Sequence, residues 1–289
     1  MKVFKFFLSV AICSLIISGC DDASNSSGGR LSHEEIENSK TDRFNDYIQV
    51  SNALSGGLDY MRDKYIKENI PEAKASQDID YPNPFIFRAV DEHLSKMKDI
   101  KDISVDLNEA GKDLKIKMKA IEKDYNDFNI YYRSGEYKTD NLAKGKEADS
   151  MIKSNLDHAV LSFDNFQRLL KITYEKRKKE ELEYLKKSGD QLAYHQAAAL
   201  YFAEKLVNVY SSQKDLQDDK KNIEADNLSL ELQKQISLLN ADYNKSNTNG
   251  YNGITSNLAN CLKYYRKFRD TGDVDYFNFM VSGYNQAAN

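Results

Sequence analysis

The sequence of 289 residues predicts an all-α fold, an elongated antiparallel bundle of long helices with a smaller C-terminal helical portion. All three prolines fall between positions 71 and 84, and none occurs in the 205 residues that follow. Because proline costs about 3 kcal/mol inside a helix, this stretch favours long helices. Apolar residues recur at intervals of three and four, as on one helical face, and no long alternating run typical of a strand is present.

The helices are predicted over residues 34–69, 85–133, 140–187, 190–216, 220–245, 254–270 and 273–287. The first carries an apolar face that consists of Phe44, Tyr47, Ile48, Leu54, Leu58, Met61 and Tyr65. The second is expected to break near Asp102 or Gly111. Asp140 is placed to cap the third helix, and Gly189 followed by Asp190 indicates a tight hairpin before the fourth.

The composition is that of a soluble globular protein, with 30% charged and 40% apolar residues. Without the first 19 residues, whose removal is predicted below, the chain has 39 basic and 45 acidic residues. A mildly acidic body is poorly suited to neutralising phosphates, so no nucleic acid partner is predicted.

The first 20 residues, "MKVFKFFLSVAICSLIISGC", have the organisation of an export signal. Two lysines precede an apolar run of 12 residues, from Phe6 to Ile17, which is shorter than the roughly 20 residues that span a bilayer. The final "ISGC" resembles the bacterial lipobox, in which a peptidase cleaves before a cysteine whose thiol carries diacylglycerol. Residues 1–19 are therefore predicted to be a lipoprotein signal peptide and Cys20 the lipidated residue; an ordinary signal peptide, or a short membrane anchor with a chance cysteine, is the alternative.

Residues 20–32 are expected to attach a helical body, residues 33–289, to a membrane. Two acyl chains hold a protein stably on a bilayer, and the Ser, Asn and Gly of "DDASNSSGGRLS" favour a flexible tether. Asp21 directly after the cysteine is interpreted as a sorting signal. It predicts the periplasmic face of the inner membrane if the host is Gram-negative; alternatively, it simply begins the tether.

No catalytic or metal-binding motif is found, so no catalytic residues, no metal, no cofactor and no enzymatic activity are predicted. The four histidines do not pair at intervals of three or four, and HExxH, GxSxG and P-loop patterns are missing. His195 lies on an apolar helical face and is interpreted as a partly buried histidine with a hydrogen-bond partner. Cys261 is interpreted as a buried inert thiol, with a reactive or intermolecular cysteine as the alternative.

Aromatic residues concentrate in "DYNDFNIYYRSGEY", which holds Tyr125, Phe128, Tyr131, Tyr132 and Tyr137. At helical spacing such residues usually form core, with phenol groups reaching a wet edge. The alternative is a groove lined by these rings that binds a peptide or a glycan. The mixed charges of residues 175–187 favour an ion-paired helix end over contact with lipid head groups.

Residues 125–152, "YNDFNIYYRSGEYKTDNLAKGKEADSMI", resemble the YiiG-like family of bacterial envelope lipoproteins. In that family a helix ending in aromatic residues precedes a turn of the form Y-x-x-D-x-x-x-K-G, which here consists of Tyr137, Asp140, Lys144 and Gly145. Residues 44–54 are similar to the family's first helix. The resemblance implies an exported helical lipoprotein of undetermined function and supplies no catalytic residues.

These observations predict a membrane-anchored envelope lipoprotein whose helical body binds a protein or another envelope component without catalysis. One alternative is a ligand-binding or hydrolytic protein with a Tyr-lined cleft between helix pairs. Another is a self-assembling coiled-coil spacer.

Overall fold

The computed structural model describes residues 33–81, 85–245 and 253–288, which form helices joined by turns and loops, and no β-strand occurs among these residues. The helices are α1 His33–Leu54, α2 Gly57–Glu68, α3 Phe85–Lys96, α4 Val105–Arg133, α5 Ala143–Ser188, α6 Gln191–Val207, α7 Asp219–Lys245, α8 Gly253–Thr271 and α9 Val274–Ala288. Short 3₁₀ turns cover Glu136–Lys138 and Gln213–Gln217. The predicted all-α helical bundle is confirmed. The predicted signal peptide, Cys20, Asp21 and the tether lie outside the described residues.

The first two predicted helices are each divided in two. Gly56, with a left-handed φ of 72°, separates α1 from α2. Residues 97–104 separate α3 from α4, which confirms a break near Asp102. Gly111 lies inside α4 instead, where an added Cβ would be only 2.5 Å from Met97 Cε. This glycine therefore permits close packing and does not end the helix.

Two further helix ends follow from side chains that bond to the backbone. Asp190 accepts a hydrogen bond of 3.0 Å from the Ala193 N–H, and Gly189 has φ 80°, so the predicted hairpin before α6 is confirmed. The prediction that this helix reaches residue 216 is wrong, because α6 ends at Val207. The Asp215 carboxylate accepts from the N–H groups of Ser211 and Ser212, which favours a 3₁₀ turn in place of a further helical turn.

The described residues divide into two compact units, one of residues 33–175 and the other of residues 176–288. The first unit contains α1 to α4 and α5 as far as residue 175. The predicted face of its first two helices is confirmed, since all seven side chains from Phe44 to Tyr65 are buried. Arg43 of α1 holds the 97–104 connection through two hydrogen bonds to the Asp102 carboxylate, of 2.8 and 2.7 Å.

The second unit contains the rest of α5 and helices α6 to α9. Its core includes Leu206, Leu232, Phe268 and Met280, each fully buried. At Gly283 an added Cβ would lie 2.9 Å from the Cys261 backbone nitrogen, so α8 and α9 pack with their backbones close together. In the later part of α5, Lys176 pairs with Glu180 at 3.8 Å and Lys178 pairs with Glu181 at 3.2 Å. These pairs agree with the ion-paired helix end that the sequence predicts.

Candidate functional site

The predicted aromatic residues lie at the end of α4 and in the turn that follows it. All five are buried, with exposed fractions between 1% for Tyr131 and 9% for Tyr125. The Tyr131 and Tyr132 rings meet edge to face with centroids 4.9 Å apart, and Phe128 lies 6.1 Å from Tyr131. The rings therefore pack on one another in the core of the first unit, as the favoured interpretation expects, and do not line an open groove.

The turn from α4 to α5 contains three residues with left-handed backbone. Gly135 has φ 76°, which glycine adopts without strain. Asn141 and Leu142 follow with φ 51° and 63°, and this conformation is unusual for a residue as bulky as leucine. The Leu142 side chain is fully buried, so its packing compensates for the backbone strain.

Asp140 connects this turn to the first turn of α5. Its carboxylate accepts hydrogen bonds from the Tyr131 hydroxyl at 2.9 Å and from the Lys144 N–H at 3.1 Å. The Tyr131 hydroxyl in turn accepts from the Gly145 N–H at 3.2 Å. Burial opposes ionisation of Asp140, but these hydrogen bonds prevail and lower its pKa. The predicted capping role of Asp140 thus has a geometric basis.

Gly145 completes the arrangement by its lack of a side chain. A Cβ at this position would lie 2.6 Å from Tyr132 Oη and 3.4 Å from Tyr131 Cε1. The aromatic rings can approach α5 only because glycine is present. The residues of the Y-x-x-D-x-x-x-K-G pattern therefore position the aromatic cluster, defined as Tyr65, Tyr81, Tyr125, Phe128, Tyr131, Tyr132 and Tyr137.

Two members of the aromatic cluster, Tyr65 and Tyr81, were not singled out as site residues from the sequence. Tyr81 ends a segment without helix or strand, here called the 74–81 loop. Its ring stacks on Tyr132 with centroids 4.7 Å apart and an interplanar angle of 15°. Tyr65 of α2 meets the edge of Tyr81 at 6.0 Å. From the sequence, only the aromatic character of these residues could have indicated the contact, since Tyr65, Tyr81 and Tyr132 are far apart along the chain.

Polar groups are buried beside these rings. The Oη atoms of Tyr65 and Tyr132 and Oδ1 of Asp149 are buried and have no well-formed hydrogen bond among the described residues, whereas Asp149 Oδ2 accepts from Lys153 at 2.8 Å. Burial raises the pKa of both tyrosines well above the ordinary value. These hydroxyls therefore stay neutral at physiological pH.

A small cavity adjoins the aromatic cluster. Its walls include Tyr65, Tyr81, Tyr125 and Asp124, and its volume of about 10 Å³ corresponds to roughly one water molecule. Burial raises the pKa of Asp124, although Asn155 donates a hydrogen bond of 2.8 Å to its carboxylate. The cavity as it stands is too small for a sugar or a peptide side chain.

In the second unit, His195 has the structure that the sequence predicts. It is 8% exposed, and its Nδ1 lies 2.5 Å from Oδ2 of Asp242 on α7. The pair connects α6 to α7. Cys261 is also buried, as predicted, and burial raises its thiol pKa to about 12. Such a thiol carries almost no thiolate at neutral pH and is a poor nucleophile.

A surface of α8 and α9, here called the α8–α9 aromatic surface, combines rings with lysines. Tyr264 stacks on Tyr276 with centroids 6.2 Å apart, and Phe279, which is 51% exposed, lies 5.1 Å from Tyr264. Lys267 Nζ lies 5.0 Å from the centroid of the Tyr276 ring, and Lys263 Nζ lies 5.2 Å from that of Tyr264. The surface can therefore offer both apolar area and positive charge.

The described residues form neither a metal-binding cluster nor a membrane-spanning helix. Among the side chains that the structure describes, in residues 37–81, 91–245 and 253–288, no three of His, Cys, Asp or Glu are grouped so as to hold a metal ion. None of the helices described above has a stretch that is both long and apolar enough to cross a bilayer.

Comparison with known proteins assigns the chain to a family. Neither the curated proteins nor the solved structures include a match to this sequence. A family described as "Protein of unknown function (DUF3829)" matches residues 38–268, which span α1 to most of α8. Since this match covers well over half of the sequence, the chain belongs to the DUF3829 family of proteins of unknown function.

Proposed function

We propose that this protein is a membrane-anchored bacterial envelope lipoprotein whose helical body binds a protein or another envelope component without catalysing a reaction. The observation that carries the anchor is the sequence "ISGC" after an apolar run of 12 residues. Cys20 would carry two acyl chains, which suffice for stable attachment. In a Gram-negative host, Asp21 would retain the protein at the periplasmic face of the inner membrane.

Membership of the YiiG-like lipoproteins, which is more specific than membership of the DUF3829 family, is part of this proposal. It is supported by the turn pattern at Tyr137, Asp140, Lys144 and Gly145. In that pattern, Asp140 accepts a hydrogen bond from the Lys144 N–H at the start of α5. Gly145 leaves room for the Tyr132 ring because it has no side chain.

Binding of an envelope partner is supported by the α8–α9 aromatic surface. Aromatic residues are enriched at protein interfaces because they bury a large area at a small loss of conformational entropy. Phe279 is more than half exposed, and the neighbouring lysine ammonium groups favour a partner that carries negative charge.

Mass spectrometry of the N-terminus of the protein purified from its native host tests the anchor. The expected product begins at Cys20 and carries the mass of attached acyl chains. Cys20→Ala should abolish this modification, and Cys13→Ala should leave it intact, because Cys13 lies in the segment that is removed. An unmodified Cys20 in the native host would refute the anchor.

Cross-linking of intact envelopes followed by purification tests the binding function. The native chain and Tyr184→Ala, which removes an exposed ring of α5, should recover the same enriched partner. A Phe279→Ala, Lys267→Ala double variant should lose it. Absence of any enriched partner across several growth conditions would contradict a binding role, and equal recovery by all three chains would contradict this surface.

The alternative is a ligand-binding or hydrolytic protein that uses a Tyr-lined cleft. The observation in its favour is the carboxylate of Asp124, whose pKa is raised by burial and which lies beside Tyr81 and Tyr125 at the small cavity. Calorimetry with soluble peptidoglycan fragments tests it. Saturable binding that is lost in Tyr125→Ala would favour this alternative, and no heat of binding would count against it for that ligand class.

A further inference from the structure

We propose that the 74–81 loop covers a binding groove for a peptide segment in which an aromatic residue follows two carboxylates, and that such a segment binds by displacing the loop. The loop sequence Lys-Ala-Ser-Gln-Asp-Ile-Asp-Tyr has this composition. The chain itself thus shows which chemistry the groove accepts.

The first contact is a slot for one aromatic ring. Tyr81 stacks on Tyr132 at 4.7 Å and on Tyr125 at 6.2 Å, and it meets Tyr65 edge to face at 6.0 Å. The three receiving rings belong to α2 and α4, so the slot is formed by helices and not by the loop. Tyr81 remains partly exposed, whereas Tyr65 and Tyr132 are almost fully buried.

The second contact is a pair of cations that flank this slot. Lys64 of α2 pairs with Asp80 at 2.8 Å, and Lys138 of the 3₁₀ turn pairs with Asp78 at 2.9 Å. Both aspartates are largely exposed, with side-chain exposures of 72% and 96%. Exposed ion pairs contribute little to stability, so they select acidic residues without preventing release of the loop.

The third contact involves the backbone of the loop. The Tyr137 hydroxyl donates to the Gln77 carbonyl at 2.9 Å and accepts from the Ile79 N–H at 3.3 Å. Every peptide offers these two groups at corresponding positions, whatever its side chains. Tyr137, itself buried, can therefore bond the backbone of a segment that enters the groove, whatever side chains that segment carries.

The loop is a competitor that is present on every molecule. A segment tethered to its own site acts at an effective concentration on the order of millimolar, so the native chain should bind a free peptide weakly. A variant whose loop has lost its ring should bind the same peptide well. Release of the loop would then open the part of the aromatic cluster that the loop contacts, at Tyr65, Tyr125, Tyr132 and Tyr137.

The test uses the full chain in detergent micelles and a fluorescein-labelled peptide that comprises residues 74–81. Fluorescence anisotropy should show that Tyr81→Ala binds this peptide at least tenfold more tightly than the native chain does. A peptide with alanine in place of its tyrosine should bind at least tenfold more weakly. Tyr184→Ala, which lacks an exposed ring of the second unit, should behave as the native chain does.

The folded state of Tyr81→Ala is checked by circular dichroism. Where that variant is folded and binds neither peptide, or binds both equally, the proposal is overturned. Where it is unfolded, the decision rests on an Asp78→Asn, Asp80→Asn double variant, which retains every ring. It should bind the tyrosine peptide severalfold more tightly than the native chain does, and equal binding would overturn the proposal. The anisotropy measurement does not depend on lipidation, so a negative result in this assay leaves the proposed anchor intact.

Discussion

Replacing Gly283 with alanine measures how closely α8 and α9 pack. The added Cβ would lie 2.9 Å from the Cys261 backbone nitrogen, 3.0 Å from the Asn257 carbonyl oxygen and 3.2 Å from Cys261 Cα. Non-bonded carbon contacts are most favourable at about 3.5–4.0 Å, so the helices must move apart by several tenths of an ångström. Rotation of a side chain cannot relieve the overlap, because the contacted atoms belong to the backbone.

The expected loss of stability is the difference between two terms. Overpacking of a core typically costs about 1–3 kcal/mol, and glycine to alanine inside a helix gains about 0.5–1 kcal/mol. Because the overlapped atoms are backbone, the upper half of the overpacking range applies, about 2–3 kcal/mol, and the free energy of unfolding should fall by about 1–2.5 kcal/mol in Gly283→Ala. With a urea dependence of about 2 kcal/mol per molar, the midpoint should decrease by about 0.5–1.2 M.

Urea unfolding followed by circular dichroism provides the measurement. Gly253→Ala is the matched control, because among the described residues no atom beyond the adjoining part of α8 lies within 4 Å of a Cβ built there. Its midpoint should equal or slightly exceed that of the native chain. A Gly283→Ala variant as stable as the native chain would refute the close packing of these two helices.

Three other predictions concern single side chains. Because burial raises the pKa of Cys261 to about 12, mass spectrometry should find this residue unmodified after treatment of the folded chain with a thiol reagent at pH 8, and rapid modification would contradict its burial. Burial opposes ionisation of Asp215, but hydrogen bonds from Lys221 and the backbone lower its pKa from 3.8 to about 2. The ionised carboxylate therefore stabilises the fold above pH 4, and this contribution is lost as the pH falls through 2. Asp215→Asn should therefore be less stable by about 1 kcal/mol at pH 7, with the difference from the native chain vanishing near pH 2, and a difference that does not change with pH would contradict this assignment. Arg43→Lys should lower the free energy of unfolding by about 1 kcal/mol, because a lysine cannot reproduce the two parallel hydrogen bonds to Asp102. Thermal unfolding of the variant that matches that of the native chain would show that the pair contributes nothing.

Helix positions could be predicted from the sequence because they depend on local patterns. Proline placement and apolar spacing located α7, α8 and α9 to within one residue at each end. The end of α6 was missed, because Asp215 binds backbone groups three and four residues before it and competes with the helix. The Ser55-Gly56 pair is typical of a turn or a helix end, and a break is found there, but the apolar spacing continues across the pair and favoured one uninterrupted helix.

The state of the aromatic residues could not be predicted in the same way. Periodicity placed Tyr125 to Tyr132 on one side of α4, which is compatible with either core or groove. The structure distinguishes the two through Tyr81, a residue more than forty positions away that stacks on Tyr132. Contacts between segments so distant in sequence depend on the tertiary fold, and a single sequence contains no direct record of them.

The backbone and the side chain at position 142 favour different residues. Its φ of 63° is tolerated best by glycine, and its fully buried side chain requires a large apolar residue. Glycine would relax the backbone and leave a void, whereas isoleucine or valine would fill the space and add strain through β-branching. In a saturation library this position should therefore tolerate few substitutions, in contrast to buried leucines of regular helical geometry such as Leu114, where other apolar residues of similar volume are accepted.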